Sequence, residues 1–181
     1  MTDVNQHIVL IGMMGAGKTT VGRLLANRLG WRFWDNDEAL TKATRETAAD
    51  VQQAEGRQAL HRLENRLLRE ALADESLTVF AAAASVVLEP EILDGALTVW
   101  LRISAAREAD QIAHSGQQHR PLPADAAAAL LRIGASRAPL YARLADITVD
   151  VAGEPTATCD RVLAALDARK PSPGASSKQS S

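Results

Sequence analysis

Residues 7–25 read HIVLIGMMGAGKTTVGRLL, an apolar run, a glycine-rich turn and then an apolar pattern at helical spacing. The centre, Gly12 to Thr20, fits G-x-x-x-x-G-K-[ST], a pattern whose chemistry depends on standing between a strand and a helix. Gly12, Gly15, Ala16 and Gly17 are small enough to let backbone N–H groups turn inward around phosphate oxygens, and the N-terminus of the following helix adds positive potential. Lys18 is then placed to bridge β- and γ-phosphates. Thr19 offers a hydroxyl to Mg²⁺, and Thr20 closes the phosphate-binding stretch. A nucleoside triphosphate site is the expectation, and with it an α/β fold.

Working outward, the strand-like runs HIVLIG, WRFW, LTVFA, LTVWLRI and ITVDV alternate with helical patterns, which predicts a parallel sheet covered by helices. Val21, Leu24, Leu25 and Leu29 share one helical face, with Gly30 as the stop. A second helix is predicted from about Gly56 to Ala73, apolar along Leu60, Leu63, Leu67 and Ala71, with Arg57, His61 and Glu64 on its polar side. ADAAAALLRIGASRAPLY, residues 124–141, reads as helix interrupted near Gly134 or before Pro139. HSGQQHRPLP, residues 114–123, reads as a loop and a candidate lid. One domain over residues 1–169 is expected, followed by a disordered Pro/Ser/Gly-rich tail, 170–181.

Composition excludes several classes of function. The chain has 181 residues, a formal net charge of -2, and scattered basic residues, so nucleic acid is not an expected partner. A single cysteine, Cys159, allows no internal disulfide, and the start lacks a signal-peptide pattern, which points to the cytoplasm. No run approaches the ~18–20 apolar residues that a membrane span needs. A monomer is expected, since no exposed apolar stripe calls for a partner.

After the strand WRFW come Asp35 and Asp37, two residues apart. If that strand lies near the phosphate loop, one carboxylate can orient metal-bound water while the other takes the proton of an attacking hydroxyl. The same residues also suit an acidic helix start.

The stretch LIGMMGAGKTTVGRLLANRLGWRFWDNDEAL, with RPLP and then SRAPLYARLADITVDV later, resembles the shikimate kinase family over about the first 165 residues. The resemblance implies a P-loop kinase fold, a five-stranded parallel sheet flanked by helices, with a lid and a substrate-binding helical region. It also implies transfer of the ATP γ-phosphoryl to the 3-hydroxyl of shikimate with Mg²⁺, in aromatic amino acid biosynthesis. By position, Asp37 matches the family's catalytic aspartate and Asp35 its metal-side aspartate. Arg120 matches the lid arginine that reaches the transferred phosphate, Arg137 a substrate-carboxylate arginine, and Pro155 the loop against adenine.

Three departures bear on the acceptor. In EGRQALHRLE, Gly56 and Glu64 match the family, but Arg57 stands for a glutamate, Leu60 for an aromatic residue and His61 for a second carboxylate-binding arginine. A neutral imidazole cannot make the two-pronged guanidinium grip, although His61 also reads as a surface residue paired with Glu64 at i,i+3. Where the family has three glycines beside substrate and γ-phosphate, this chain has Ala81 to Ala84, with Ala83 in the substrate-binding stretch, then Ser85. Alanine at positive φ costs about 1 kcal/mol, and its methyl narrows a pocket; Ser85 is expected to cap the next turn. Finally, READQIAHSG places Ala113 where the family often stacks a basic residue near adenine, with Arg107, His114 and His119 in the neighbourhood. The acceptor is thus either shikimate or a related small hydroxylated acid. The alternative is a catalytically impaired nucleotide- or metabolite-binding protein of the same fold, with a regulatory or partner role.

Overall fold

The computed structural model describes residues 4–104, 124–151 and 153–169. Five parallel strands form one sheet: β1 (Ile8–Ile11), β2 (Arg32–Asp35), β3 (Thr78–Ala81), β4 (Leu97–Arg102) and β5 (Ile147–Asp150), in the order β2-β3-β1-β4-β5. Each corresponds to one of the five apolar runs, and the expected five-stranded parallel sheet flanked by helices is observed. Central β1 is apolar and buried at all four positions, as expected of a strand covered on both faces.

The alternation of β1 side chains separates two cores. Ile8 and Leu10 pack with Val79, Val99 and Leu101 against α1 (Lys18–Leu29) and the C-terminal helix α6 (Pro155–Ala168). Val9 and Ile11 face the other way, with Phe80, Trp100 and Tyr141, toward α4 (Arg57–Leu72) and α5 (Ala124–Leu144). A third cluster, Leu40, Val51 and Leu60, joins α2 (Asn36–Thr44), α3 (Ala48–Glu55) and α4 into a helical region beyond β2. Helix α3 begins with a reciprocal capping box in which Thr47 and Asp50 bond each other's backbone N–H. Gly30 ends α1 in the left-handed conformation, as expected.

Two helix expectations are corrected. α5 runs unbroken past Gly134 and contains Pro139. Proline forfeits one backbone hydrogen bond, but Arg137 and Tyr141 tie that turn to the loop after β3, and Ala138 and Leu140 pack on the core. On α4, Glu64 and Asn65 are buried together with Leu60 and Leu68, so Glu64 does not belong to an outward polar side. The helix is packed from two directions, by α2 and α3 and by the turns after β3, which widens its buried stripe.

No helix among the described residues is long and apolar enough to cross a membrane. The candidate lid with Arg107, Ala113, His114, His119 and Arg120, and the tail 170–181, lie outside the described residues.

Candidate active site

In a sheet of this order the ends of β3, β1 and β4 lie side by side, and the glycine-rich loop leaves β1 at that edge. Gly12 has φ 144°, and a Cβ there would sit 2.7 Å from the carbonyl oxygen of Leu101 on β4, so only glycine fits. Gly17 is the N-cap of α1 at φ 83°, which leaves the first helical N–H groups open to the loop. Lys18, first residue of α1, donates to the carbonyl oxygens of Gly12 and Met13 at 2.9 Å each. Burial of its ammonium lowers its pKa to about 8, while Asp37 and Asp35 act in the opposite direction.

β3 separates β2 from β1, so the paired aspartates do not stand on a strand adjacent to the loop. They reach it through α1: Thr19 Oγ1 donates to Asp35 Oδ2 at 2.7 Å. The other oxygen of Asp35 accepts from the backbone N–H of Asp37 at 3.0 Å and of Glu38 at 3.3 Å, which makes Asp35 the N-cap of α2. Both readings of WDND therefore hold. The pair is a helix start, and the same capping bonds fix Asp35 against Thr19. Asp37 is exposed in the first turn of α2. Partial burial of its carboxyl raises its pKa; Asp35 adds to this and Lys18 opposes it. Lys18, Asp35 and Asp37 thus share one electrostatic neighbourhood, with Thr19 at its edge and Thr20 next along α1.

On the opposite face of the sheet, the residues expected on the acceptor side surround the loop after β3. Among the described residues only Arg45 combines a positive φ with a side chain, so Ala81 to Ala84 lie in ordinary backbone conformations. The expected strain of alanine at positive φ is absent, and what remains of that expectation is the volume of the methyl groups. The carbonyl of Ala84 accepts from Arg137 Nη1 at 3.2 Å and from Tyr141 Oη at 2.8 Å, one turn apart on α5. Tyr141 Oη also lies 3.7 Å from Met13 Sδ, linking this face to the phosphate loop.

Ser85 does not cap the following turn with its side chain. Its hydroxyl donates to Glu64 Oε2 at 2.7 Å, because that buried carboxylate offers a stronger acceptor. Burial raises the pKa of Glu64, the Ser85 bond lowers it, and the charges of Asp37 and Arg137 act in opposite directions. His61 is half-buried, and Glu64 bonds Ser85 rather than His61. Burial, then Arg137 and Arg57, hold the imidazole below its ordinary pKa. Ala83 is half-buried in the loop after β3, and Pro155 is the first residue of α6.

Sequence reasoning overlooked three members of this arrangement: the Ser85–Glu64 bond, the Ala84 carbonyl, and Tyr141. The i,i+4 spacing of Arg137 and Tyr141 was the available signal, since it places both on one face of a helix. It also overlooked Asn36, which is buried between the two aspartates with both amide atoms unpartnered among the described residues.

The family profile described as shikimate kinase matches residues 14–167. A shikimate kinase of Mycobacterium tuberculosis (strain ATCC 25177 / H37Ra) is 36% identical over 173 residues, covering 92% of this chain and 97% of the relative. Among solved structures, a shikimate kinase from Acinetobacter baumannii in complex with shikimate is similar with TM-score 0.82 and 25% identity, over 93% of this chain and 96% of that one. The shikimate kinase of Aquifex aeolicus gives 0.73 and 26%, over 89% and 96%. Matched along nearly its whole length by the profile and by these relatives, the chain belongs to the shikimate kinase family and is a kinase that uses ATP to phosphorylate an alcohol.

Proposed function

We propose that this kinase transfers the γ-phosphoryl of ATP to a hydroxyl of shikimate, acting as one domain, residues 1–169, and as a monomer, with Mg²⁺ as its metal. The observation that carries the site assignment is the 2.7 Å bond from Thr19 to Asp35, which brings the end of β2 to the phosphate loop. The relative solved with shikimate supports the acceptor. An intact Lys18, Thr19, Asp35 and Asp37 supports turnover over a role in binding alone.

The residues fit both groups. Gly12 lets the loop pass close against the Leu101 carbonyl of β4, where a Cβ would clash, and Gly17 opens the α1 N-terminus to phosphate oxygens, with Gly15, Ala16 and Thr20 completing the loop. Thr19 and Asp35 supply hard oxygen donors, which suits Mg²⁺, an ion held by one or two protein oxygens beside phosphate and water. When bound, Mg²⁺ withdraws charge from the β- and γ-phosphate oxygens. Lys18 exchanges its bonds to the Gly12 and Met13 carbonyls for phosphate oxygens. Asp37 accepts the proton of the acceptor hydroxyl as that oxygen bonds phosphorus and ADP departs. Its raised pKa makes it a better base than an ordinary aspartate. Arg137 takes the acceptor's carboxylate, with His61 and Ala83 lining the pocket. We assign Arg120 to the transferred phosphate and Pro155 to the adenine side by their positions in the family pattern.

ADP release from Mg·ATP by purified protein, measured with and without shikimate, tests the reading. Shikimate-dependent release, lost in Lys18→Ala while the fold is kept, is expected. Release that shikimate does not stimulate, with Mg·ATP still bound, refutes the acceptor assignment; full turnover in Lys18→Ala refutes the phosphate site.

A further inference from the structure

Ala84 and Ser85 are consecutive residues that hold two different helices. Ala84 holds α5 through its carbonyl, which accepts from Arg137 at 3.2 Å and Tyr141 at 2.8 Å. Ser85 holds α4 through its hydroxyl, which donates to Glu64 at 2.7 Å. Both members of the Ser85–Glu64 bond are buried, at 4% and 7% exposure. Arg137 and Glu64 carry opposite charges and each lies within the other's electrostatic reach, yet among the described residues they form no ion pair. Two charges so placed would ordinarily close on one another, since a buried carboxylate seeks a charged donor. Here each already has a partner in the loop after β3, and the loop keeps them apart.

We propose that Ser85 is a positioning residue for the acceptor: by holding the Glu64 carboxylate, it prevents an ion pair with Arg137 and leaves that guanidinium free for the acceptor's anionic group. This rests on the reading of Arg137 as the acceptor-anion residue. His61, beside Arg137, is held neutral at pH 7 and supplies no second cation, whereas Asp37 and Glu64 are both acidic. The net charge of these groups is the same in either arrangement; what an ion pair with Glu64 would take away is the set of Arg137 N–H donors that an anion needs, since the carboxylate would occupy them at close range.

Ser85→Ala removes the hydroxyl and keeps the small volume. Steady-state kinetics should show KM for shikimate raised about tenfold, the scale of one lost charge-assisted bond, with kcat and KM for ATP within about twofold. Ser85→Cys, nearly the same size and a weak donor, should shift KM in the same direction and serves if the alanine variant does not fold. An unchanged KM for shikimate overturns the proposal. So does a joint fall of kcat and rise of both KM values, which would mark a merely structural role. A crystal structure of either variant decides the matter independently of acceptor identity. Glu64 is expected within 4 Å of the Arg137 guanidinium, and a carboxylate that stays in its present place overturns the spacer role even if shikimate proves not to be the substrate.

Discussion

Asp37→Asn separates chemistry from binding at this site. Asparagine keeps the size of the side chain, and the backbone N–H that bonds Asp35 is untouched, so the capped start of α2 should survive. What is lost is the proton acceptor. General-base contributions run to ~10²–10⁴-fold, or about 3–5 kcal/mol at ~1.36 kcal/mol per decade, and kcat should fall on that scale. A second effect follows from the coupling of the two groups. Asp37 raises the pKa of Lys18, which stands at about 8, so removing the carboxylate moves the lysine lower still. At pH 6.5, the acid end of the titration, the ammonium form is most populated and the effect on Mg·ATP affinity should be smallest. At pH 8.5 the variant's free site holds less ammonium than the wild type, and its affinity should decline more steeply with pH. Coupled-enzyme detection of ADP gives kcat, and fluorescence titration with Mg·ATP from pH 6.5 to 9 gives affinity. An unchanged kcat, or equal losses of kcat and of Mg·ATP affinity at pH 6.5, would refute the assignment of Asp37 as base.

Three other outcomes are expected. His61→Arg restores a guanidinium beside Arg137 and should lower KM for shikimate, by up to ~10-fold since the cations Arg57 and Arg137 already act on that position; no change in KM would leave His61 outside the pocket. Glu64→Gln should raise Tm at pH 7.5 by ~2–4 °C, the equivalent of about 1 kcal/mol. The folded-state pKa of Glu64 is raised, so its ionised form penalises the fold and stability is lost as pH rises through that pKa; the gain in the variant should shrink as pH is lowered, and a gain that persists at acid pH contradicts this account. Gly12→Ala places a methyl 2.7 Å from the Leu101 carbonyl at a φ of 144°, and should lower Tm by ~4–12 °C for a loss of ~2–3 kcal/mol, together with Mg·ATP affinity; calorimetry and the titration above check both.

The strands and the phosphate loop were legible because their signals are local. Five apolar runs became five strands within a residue or two, and the glycine pattern needed only the strand before it and the helix after it. Helix α3 was also legible in principle, since Thr47 and Asp50 at cap spacing announce it. What could not be read depends on partners distant in sequence. Glu64 looks like a surface residue until α2 and α3 cover one side of its helix and the turns after β3 the other. Pro139 looks like a helix breaker until Arg137 and Tyr141 are seen to pin that turn to Ala84, more than fifty residues away. The strain expected of the alanines failed for a related reason: the loop after β3 runs at ordinary φ values, which no inspection of an alanine run reveals.

The ordinary backbone of the loop after β3 ties the departures from the family pattern together. Taken singly, a histidine for an arginine and alanines for glycines look like independent losses on the acceptor side. In the folded chain they flank the Ser85–Glu64 bond: His61 shares the helix of Glu64, and the alanine run leads into Ser85. Position 61 lies one turn before Glu64 on α4, and a cation there would be placed to compensate that acid; the imidazole, kept neutral by burial and by two arginines, is not. The compensation comes instead from across the pocket, where Ser85 follows directly on the alanine run and bonds Glu64 with a neutral hydroxyl. A neutral donor satisfies the carboxylate without adding a charge that Arg137 would have to share the pocket with. The alanines contribute through backbone: the carbonyl of Ala84 fixes Arg137 and Tyr141 at ordinary dihedral angles, without the conformational freedom of glycine. On this view positions 61 and 85 are energetically coupled. In a double-mutant cycle, His61→Arg should diminish the KM penalty of Ser85→Ala, because the new guanidinium can hold Glu64 in the serine's place; strictly additive effects would show the two substitutions to be independent.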